Sequence, residues 1–588
     1  MKKKILVKGP VLTQSGYGEQ ARFALRALRS QPENFVIYIQ PITWGTTGWL
    51  SGDNEFRNWM DKKIINTQML ARNNALQVDM TLQITIPSEF EKMAKIDIGY
   101  TAGIETTMVS PQWLAKGNQL DKILVVSKHA KESYQRTKGT ATNNQTGDTT
   151  ELRIETPIDV VHETTPRAEP EEITGFEPET DFNFLCVSQW STRKNFENTI
   201  KWWVEEFIDK KVGLVIKTNT SKNSLMDCEF TNNRLTELLK DYKDRKCKVY
   251  LLHGDLTQGQ MTGLYRHEKI KCLINIAHGE GFGLPMFEAA REELPIITHG
   301  FSGHTDFLRH SNKAFYEEVK FDMKNIQQEA VWENILIKES HWAYADQGSY
   351  KMALRRVHKS WNSKKKRAVA LKKIIDEKFN EEKLFKGFCD SILGKSKSEP
   401  RPIESISFCI PTNGAKPEKT KLTVESIKKE MADMPYEIIM AGDIENFKNI
   451  DGVTLIDKKE EAHSRKVSVL RNTAAKNSKF DTLVWCDDDM VLGDGWREKV
   501  VEFSQENGWD VLGCKLLNPD GTRHWDRKVL SPTAHHLVEY DHPSYDRNLM
   551  QTSGFMMVRK EVFDSVKWDE SSLVYADRIE NKVPEDVI

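Results

Sequence analysis

The 588-residue chain has eight cysteines, Cys186, Cys228, Cys247, Cys272, Cys389, Cys409, Cys486 and Cys514, yet no C-x-x-C pair. Thiols scattered in this way argue against a disulfide framework and a Cys-based zinc site, and they suit a reduced, cytoplasmic protein. Long apolar runs are also missing. Nothing approaches the roughly 18 residues that a spanning helix needs, so membrane association is expected to be peripheral at most. The opening MKKKILVKGPVL carries positive charge, but its apolar run stops at Lys8 and Pro10. It reads as a first strand rather than a signal peptide. An excess of one charge is absent too: 84 Lys and Arg face 86 Asp and Glu, a net charge of −2. No global field favours a polyanion, and there is no basic stripe interleaved with aromatics, so no nucleic-acid partner is expected. No short-period repeat points to a solenoid.

What is present is a globular composition, 39% apolar and 9% aromatic, in a chain too long for one core, since single cores stop growing near roughly 250–300 residues. The segments KILVKGP, FVIYIQ, IDIGYTAG, KILVVS, FNFLCVS, GLVIKTN, KVYLLHG, KCLINIA and LPIITHG predict strands. Amphipathic stretches such as GEQARFALRALRS lie between them, with Ala21, Ala24, Leu25 and Leu28 on one face. Alternating strands and helices predict an α/β protein with parallel sheets. The series divides at the acidic, proline-bearing stretch TTPRAEPEEITGFEPETD. TKGTATNNQTGDTTE is expected to be a mobile loop, and long helices are expected over about 345–393. GKSKSEPRP is a polar linker, after which SISFCIPTNG starts a new α/β pattern. The expected domains are 1–172, 173–393 with closing helices, a linker at 394–403, and 404–588.

The stretch HGEGFGLPMFEAA follows the strand CLINIA. Gly279, Gly281 and Gly283 open a strand-to-helix turn, and Pro285 suits a first helical turn. N–H groups there, near Phe282, Gly283 and Leu284, would point at an anion. Seven residues separate Glu280 from Glu288. EGFGLPMFEAA resembles the donor motif of retaining glycosyltransferases of family four, which have the GT-B fold of two Rossmann-like domains. KGPVLTQSGYGEQAR, with Gly16 and Gly18, resembles that family's N-terminal glycine loop. GYTAGIETTMVSPQWLAKGNQLDKILVVSKHA, with Glu105, Trp113 and Ser127, resembles its acceptor-domain segment. VSQWSTRKNFENTI resembles the segment whose basic pair, here Arg193 and Lys194, meets the diphosphate; Asn195 stands where the family usually has glycine. LLHGDLTQGQMTGLYRHEKI resembles the stretch before the donor motif. The resemblance covers roughly 1–393. It implies Glu280 and Glu105 as catalytic residues, Glu288 on the donor's hydroxyls, and no metal. Cationic and N–H donors stabilise the charge that develops as a sugar leaves a diphosphate, and Lys217 in VIKTN is a further donor-site candidate.

A strand-like run, TLVWC, ends in three adjacent carboxylates, Asp487, Asp488 and Asp489. That is more than a helix cap needs. Their repulsion must be offset by something positive, and oxygen ligands suit Mg²⁺ or Mn²⁺ completed by water and phosphate. The surroundings resemble inverting glycosyltransferases of family two, with the GT-A fold, over roughly 404–588. SISFCIPTNG, containing Pro411, resembles the first strand and nucleotide loop; YEIIMAGD ends in Asp443, which would face the base or ribose. HSRKVSVLRNTAAKNSKFDTLVWCDDDM places Arg471 and Asn472 at the helix leading to the Asp-x-Asp motif. LLNPDGTRHW and TSGFMMVRKEVF resemble later segments. The resemblance implies Asp489 as the direct metal ligand, Asp487 on the ribose or sharing the metal, Asp488 in donor binding, and Asp586, in NKVPEDVI, as the base. His524 reads either as a further metal or phosphate ligand or as packing beside Trp525.

Together these readings imply a two-module glycosyltransferase using UDP- or GDP-sugars and a glycan or lipid-linked glycan acceptor. The first module would retain configuration without metal, and the second would invert it with metal. Two alternatives stay open: one module inactive as a glycan-binding scaffold, or a viral enzyme acting on modified DNA bases.

Overall fold

The computed structural model describes residues 2–52, 54–142, 149–311, 313–394, 400–431, 433–530, 535–540, 549–552 and 554–570. The chain divides into two compact units, Met1–Cys389 and Asp390–Ile588.

Unit one holds two parallel six-stranded sheets. The first runs in the order Phe35–Pro41, Lys3–Gly9, Met80–Ile84, Ile96–Thr101, Lys122–Val125, Ile158–Val160. The second runs Lys248–Leu252, Gly213–Lys217, Asn183–Val187, Ile270–Ile274, Ile296–His299, Glu317–Val319. Counted along the chain, this is the doubly wound order 3-2-1-4-5-6. These are the two Rossmann-like domains expected of a GT-B chain. Helices cover the sheets because their apolar positions recur at helical spacing. Phe196, Ile200, Trp203, Val204 and Phe207 of the helix Phe196–Phe207 are buried in one cluster with Phe184 and Leu214.

The strand Met80–Ile84 was not among the segments predicted from alternation. Its polar Thr81 and Gln83 break the apolar run, yet all five residues are buried at the centre of the sheet. Tertiary partners make this affordable: Thr81 donates to Asp97 and Gln83 to the carbonyl of Glu91. The segment expected as a mobile loop instead contributes an antiparallel hairpin, Gly139–Thr142 against Thr149–Leu152. Its Thr-rich, β-branched arms favour extended backbone. The long helices expected near the end of unit one are Gln347–Lys359, Trp361–Lys378 and Glu381–Leu393. The last returns to the first half, where Phe388 packs on Phe23 and Tyr100.

Unit two is built on a mixed sheet of the GT-A kind, ordered Val453–Asp457, Tyr436–Gly442, Ile406–Thr412, Thr482–Cys486, Phe555–Arg559, Val511–Gly513. The first four strands are parallel, and Phe555–Arg559 is antiparallel to both its neighbours. A smaller antiparallel sheet is centred on Arg527–Leu530. Among the described residues no helix is long and apolar enough to cross a membrane.

Candidate active sites

In an open α/β sheet, the loops beyond the carboxyl ends of the strands diverge where strand order reverses, and leave a crevice there. In the second half of unit one that point lies between Asn183–Val187 and Ile270–Ile274. The loop after the first strand carries Arg193 and Lys194, and the loop after the second carries Glu280. They meet. Lys194 Nζ stands 2.6 and 2.7 Å from the two carboxylate oxygens of Glu280. Arg193 Nη1 donates to the carbonyl of Gly279 at 2.9 Å and lies 3.4 Å from Glu280 Oε2. The first half of the unit adds Glu105, with Oε1 3.2 Å from Arg193 Nη1. Burial alone would raise the Glu280 carboxyl, but Lys194 and Arg193 outweigh it and hold the pKa down to about 2. Glu280 is thus a carboxylate at neutral pH. Burial and the neighbouring Arg193 lower the Lys194 ammonium, against the pull of Glu280.

Close backbone approach makes the junction possible. A Cβ on Gly279 would stand 2.2 Å from the carbonyl of Glu105, and one on Gly281 2.8 Å from that of Ala102. Gly283 has φ +91° and caps the helix Leu284–Arg291. Phe282 is buried against Phe287 and Phe307.

The structure seats the other predicted residues of unit one differently. Glu288 is engaged inside the protein: it accepts from the Tyr265 hydroxyl at 3.0 Å, and burial raises its carboxyl against the help of Thr165 and Arg291. Lys217 is not a solvated strand end. Its Nζ donates to the carbonyl of Gly254 at 2.7 Å, burial lowers it, and it lines a cavity of about 260 Å³ with Val187, Gln189, Asn219 and Pro285. Gly16 opens the helix Gly16–Arg29, whose cap Ser15 accepts from the N–H of Gly18. A Cβ on Gly18 would fall 2.1 Å from the carbonyl of Thr13, so the turn admits no side chain there. A larger cavity, about 490 Å³, lies at the amino ends of Ile270–Ile274 and Ile296–His299 and contains none of these residues.

Two residues that sequence reasoning missed hold Glu280 in place. Asn275 Nδ2 donates to its Oε1 at 2.9 Å, and Ser302 Oγ accepts from its N–H at 2.8 Å. Asn275 directly follows the buried strand Ile270–Ile274 that precedes the donor motif, and a polar residue at a strand mouth is a readable signal. Ser302 comes from a separate loop with no sequence cue.

Unit two repeats the topological logic. Its strand order reverses between Ile406–Thr412 and Thr482–Cys486, and the three aspartates leave the second of these. Asp487 Oδ1 is 3.2 Å from Arg471 Nη2, Asp488 accepts from Thr412 Oγ1 at 2.5 Å, and Asp489 pairs with Lys416 Nζ at 3.0 Å. Pro411 lies in the same strand as Thr412. Burial raises Asp487, and Arg471 only partly offsets it. Burial and the other two aspartates raise Asp488 against the Thr412 hydroxyl. Asp443, at the end of Tyr436–Gly442, lies 2.9 Å from His463 Nε2 and 3.5 Å from Lys459 Nζ. His463 and Lys459 were not foreseen.

Three adjacent carboxylates here face two cations, Arg471 and Lys416, and burial first, then repulsion, disfavours the charge on Asp487 and Asp488. A divalent cation with oxygen ligands would supply the further positive charge. The donor set therefore fits Mg²⁺ or Mn²⁺ held by Asp489 and Asp487. Among the described residues no three His, Cys, Asp or Glu side chains form a cage, so phosphate oxygens would have to complete the coordination. His524 is not drawn in: its Nδ1 pairs with Asn518 Oδ1 at 3.0 Å. Asp586 lies outside the described residues.

Comparison with known proteins bears mainly on unit two. Residues 407–567 match the model of Glycosyl transferase family 2, so the chain carries a domain of that family. The chain is also similar to the O-antigen biosynthesis protein RfbC of Myxococcus xanthus, with 30% identity over 118 residues, 18% of this chain and 9% of that protein. Among solved structures, Anabaena Alr3699/HepE in complex with UDP and glucose is 11% identical, with a TM-score of 0.42 over 66% of this chain and 99% of that one. Sucrose-phosphate synthase from Thermosynechococcus elongatus is 12% identical, with a TM-score of 0.43 over 66% and 98%.

Proposed function

We propose that this chain, with its family 2 domain, is a bifunctional glycosyltransferase with one nucleotide-sugar site in each unit. The observation that carries the reading is the convergence of Arg193, Lys194, Glu280 and Glu105 at the strand-order reversal of unit one. Among the described residues, this half-buried cationic pair is neutralised by carboxylates of the protein, Glu280 and Glu105. A nucleotide diphosphate would enter as a competing anion, and Arg193 and Lys194 would turn from Glu280 and Glu105 toward its oxygens. As the sugar leaves, they stabilise the charge that builds on the diphosphate. Glu280, unprotonated at neutral pH, cannot donate a proton to the leaving group; it orients Lys194 and the sugar. The cavity beside Lys217 would take the nucleoside. The resemblance to retaining family-four enzymes supports a transfer here that needs no metal and retains configuration.

In unit two, Asp443 would meet the base or ribose and Asp487–Asp489 the diphosphate end. Asp489 and Asp487 would hold a divalent cation, which would supply positive charge to the departing diphosphate. Arg471 holds Asp487 in place, and Asp586 is the proposed base for an inverting transfer. RfbC, named for O-antigen biosynthesis, supports a glycan or lipid-linked glycan as acceptor. None of the cysteines is joined in a disulfide among the described residues, in keeping with the cytoplasm, where UDP- and GDP-sugars would be the donors.

The test is nucleotide release from a panel of UDP- and GDP-sugars by the full chain, with Mn²⁺ or with EDTA. Two activities are expected. Asp489→Ala removes the EDTA-sensitive one alone, and Lys194→Ala removes the EDTA-resistant one alone. A single activity abolished by either substitution would refute two independent sites.

A further inference from the structure

An exposed aromatic loop borders the unit-one site, and nothing above uses it. Residues 42–52, ITWGTTGWLSG, carry two tryptophans and no charge. Trp49 is 53% exposed, and an indole left in water forgoes the large burial that aromatic side chains ordinarily supply. The loop is nonetheless fixed. Gln14 N–H donates to the carbonyl of Gly48 at 2.8 Å, Leu50 N–H to that of Leu12 at 2.9 Å, and Trp49 bridges Thr13. Arg57 Nη1 ties down the carbonyl of Leu50 at 2.7 Å. The loop is therefore zipped to the turn between the first strand and the helix Gly16–Arg29.

From there a short path leads to the donor site. The Trp44 ring lies 4.3 Å from that of Tyr17, tilted by 31°. The Tyr17 hydroxyl is 2.7 Å from Thr101 Oγ1. Beyond Thr101, Ala102 abuts Gly281, and Glu105 reaches Arg193.

We propose that loop 42–52 is the acceptor shelf of unit one, where the C–H face of an uncharged pyranose stacks on Trp49. This rests on the reading of unit one as a glycosyltransferase. Charge selects the ligand class. Arg57, the cation tied to this loop, is also committed to Asp61 at 3.0 Å, so a lipid phosphate finds no counterion in the loop. The hydroxyls of Thr43, Thr46 and Ser51 are exposed and suit those of a sugar. A pyranose offers both an apolar face for an indole and a rim of hydroxyls.

Saturation-transfer NMR on the full chain tests this with methyl α-glucopyranoside, α-galactopyranoside, α-mannopyranoside and N-acetyl-α-glucosaminide. At least one glycoside should receive saturation at its ring C–H protons. Trp49→Ala should weaken that binding about tenfold, the loss of about 1.4 kcal/mol of stacking, and Trp49→Phe should restore most of it. Melting curves identify a variant that fails to fold. Equal transfer in Trp49→Ala, or none in the unaltered chain, overturns the shelf. So does Trp49-dependent co-sedimentation with phosphatidylglycerol vesicles, which would make the loop a membrane contact. EDTA-resistant nucleotide release, read on the same samples, separates the two readings. If it persists while sugar binding ignores Trp49, only the shelf falls. If the unaltered chain lacks it, the glycosyltransferase reading of unit one falls, and the acceptor role with it.

Discussion

Single side chains in unit one carry opposite electrostatic burdens. Glu280 is buried beside two cations and stays ionised, whereas Glu163 is buried with Glu19 nearby and only Arg26 to help. Desolvation and Glu19 push the Glu163 pKa up to about 8, and its Oε2 has no hydrogen-bond partner. Between its ordinary value near 4.5 and 8, the folded state holds a proton that the unfolded chain has released. Stability therefore falls as pH rises through that window. Glu163→Gln should raise the melting temperature of the full chain at pH 8.5 and have little effect at pH 5; an equal shift at both would show that ionisation is not the cause. At the donor site, Lys194→Ala should slow EDTA-resistant nucleotide release by about 10²–10³-fold, the scale for losing a partner of transition-state charge. Steady-state rates on the favoured nucleotide sugar check this, and an unaltered rate would remove Lys194 from the mechanism.

At the scale of the element, the turn after Asn183–Val187 shows how one residue type replaces another. Asn195 stands where the resembling family has glycine, and it takes the left-handed conformation glycine would take, φ 49° and ψ 36°. Asparagine tolerates that region better than other side chains, and here it is also held: Nδ2 donates to the carbonyl of Ile276 at 3.2 Å, and Oδ1 accepts from Asn198 at 2.8 Å. The turn sets Arg193 and Lys194 ahead of the helix Phe196–Phe207. Asn195→Gly should preserve it, whereas Asn195→Val should cost about 1–2 kcal/mol in backbone strain and more from the lost hydrogen bonds. Thermal melts with EDTA-resistant activity alongside check both, and a harmless valine would contradict the strained turn.

At the scale of the molecule, buried histidines distinguish the units among the described residues. Burial lowers His129 to about 4 and His299 to about 3, and it lowers His278 and His304 as well. All four lie in unit one. In unit two His463 has a 56% exposed side chain and His524 is exposed. A neutral buried histidine contributes stability that is complete above pH 6.5 and is lost as pH falls through its folded value. Unit one should thus lose stability steeply from pH 6.5 toward 4, and unit two less. Scanning calorimetry of the full chain should show two transitions separating as the pH is lowered. Transitions that shift together would refute the assignment.

Much of this was legible in local pattern. Apolar runs marked most strands, glycine spacing marked the turns, and the order of motifs suggested two glycosyltransferase-like units before any coordinates. Local pattern reports which face of an element is apolar and where the backbone must turn, because those depend on residues a few positions apart. It missed Met80–Ile84, whose polar residues are satisfied only by Asp97 and Glu91 from elsewhere in the chain. It could not place Ser302 on Glu280, Glu105 on Arg193, or Lys416 on Asp489. Those meetings depend on strand order and on which loops flank its reversal. Strand order is fixed by packing the crossover helices onto both faces of a sheet, a balance over the whole unit that no short stretch of sequence contains.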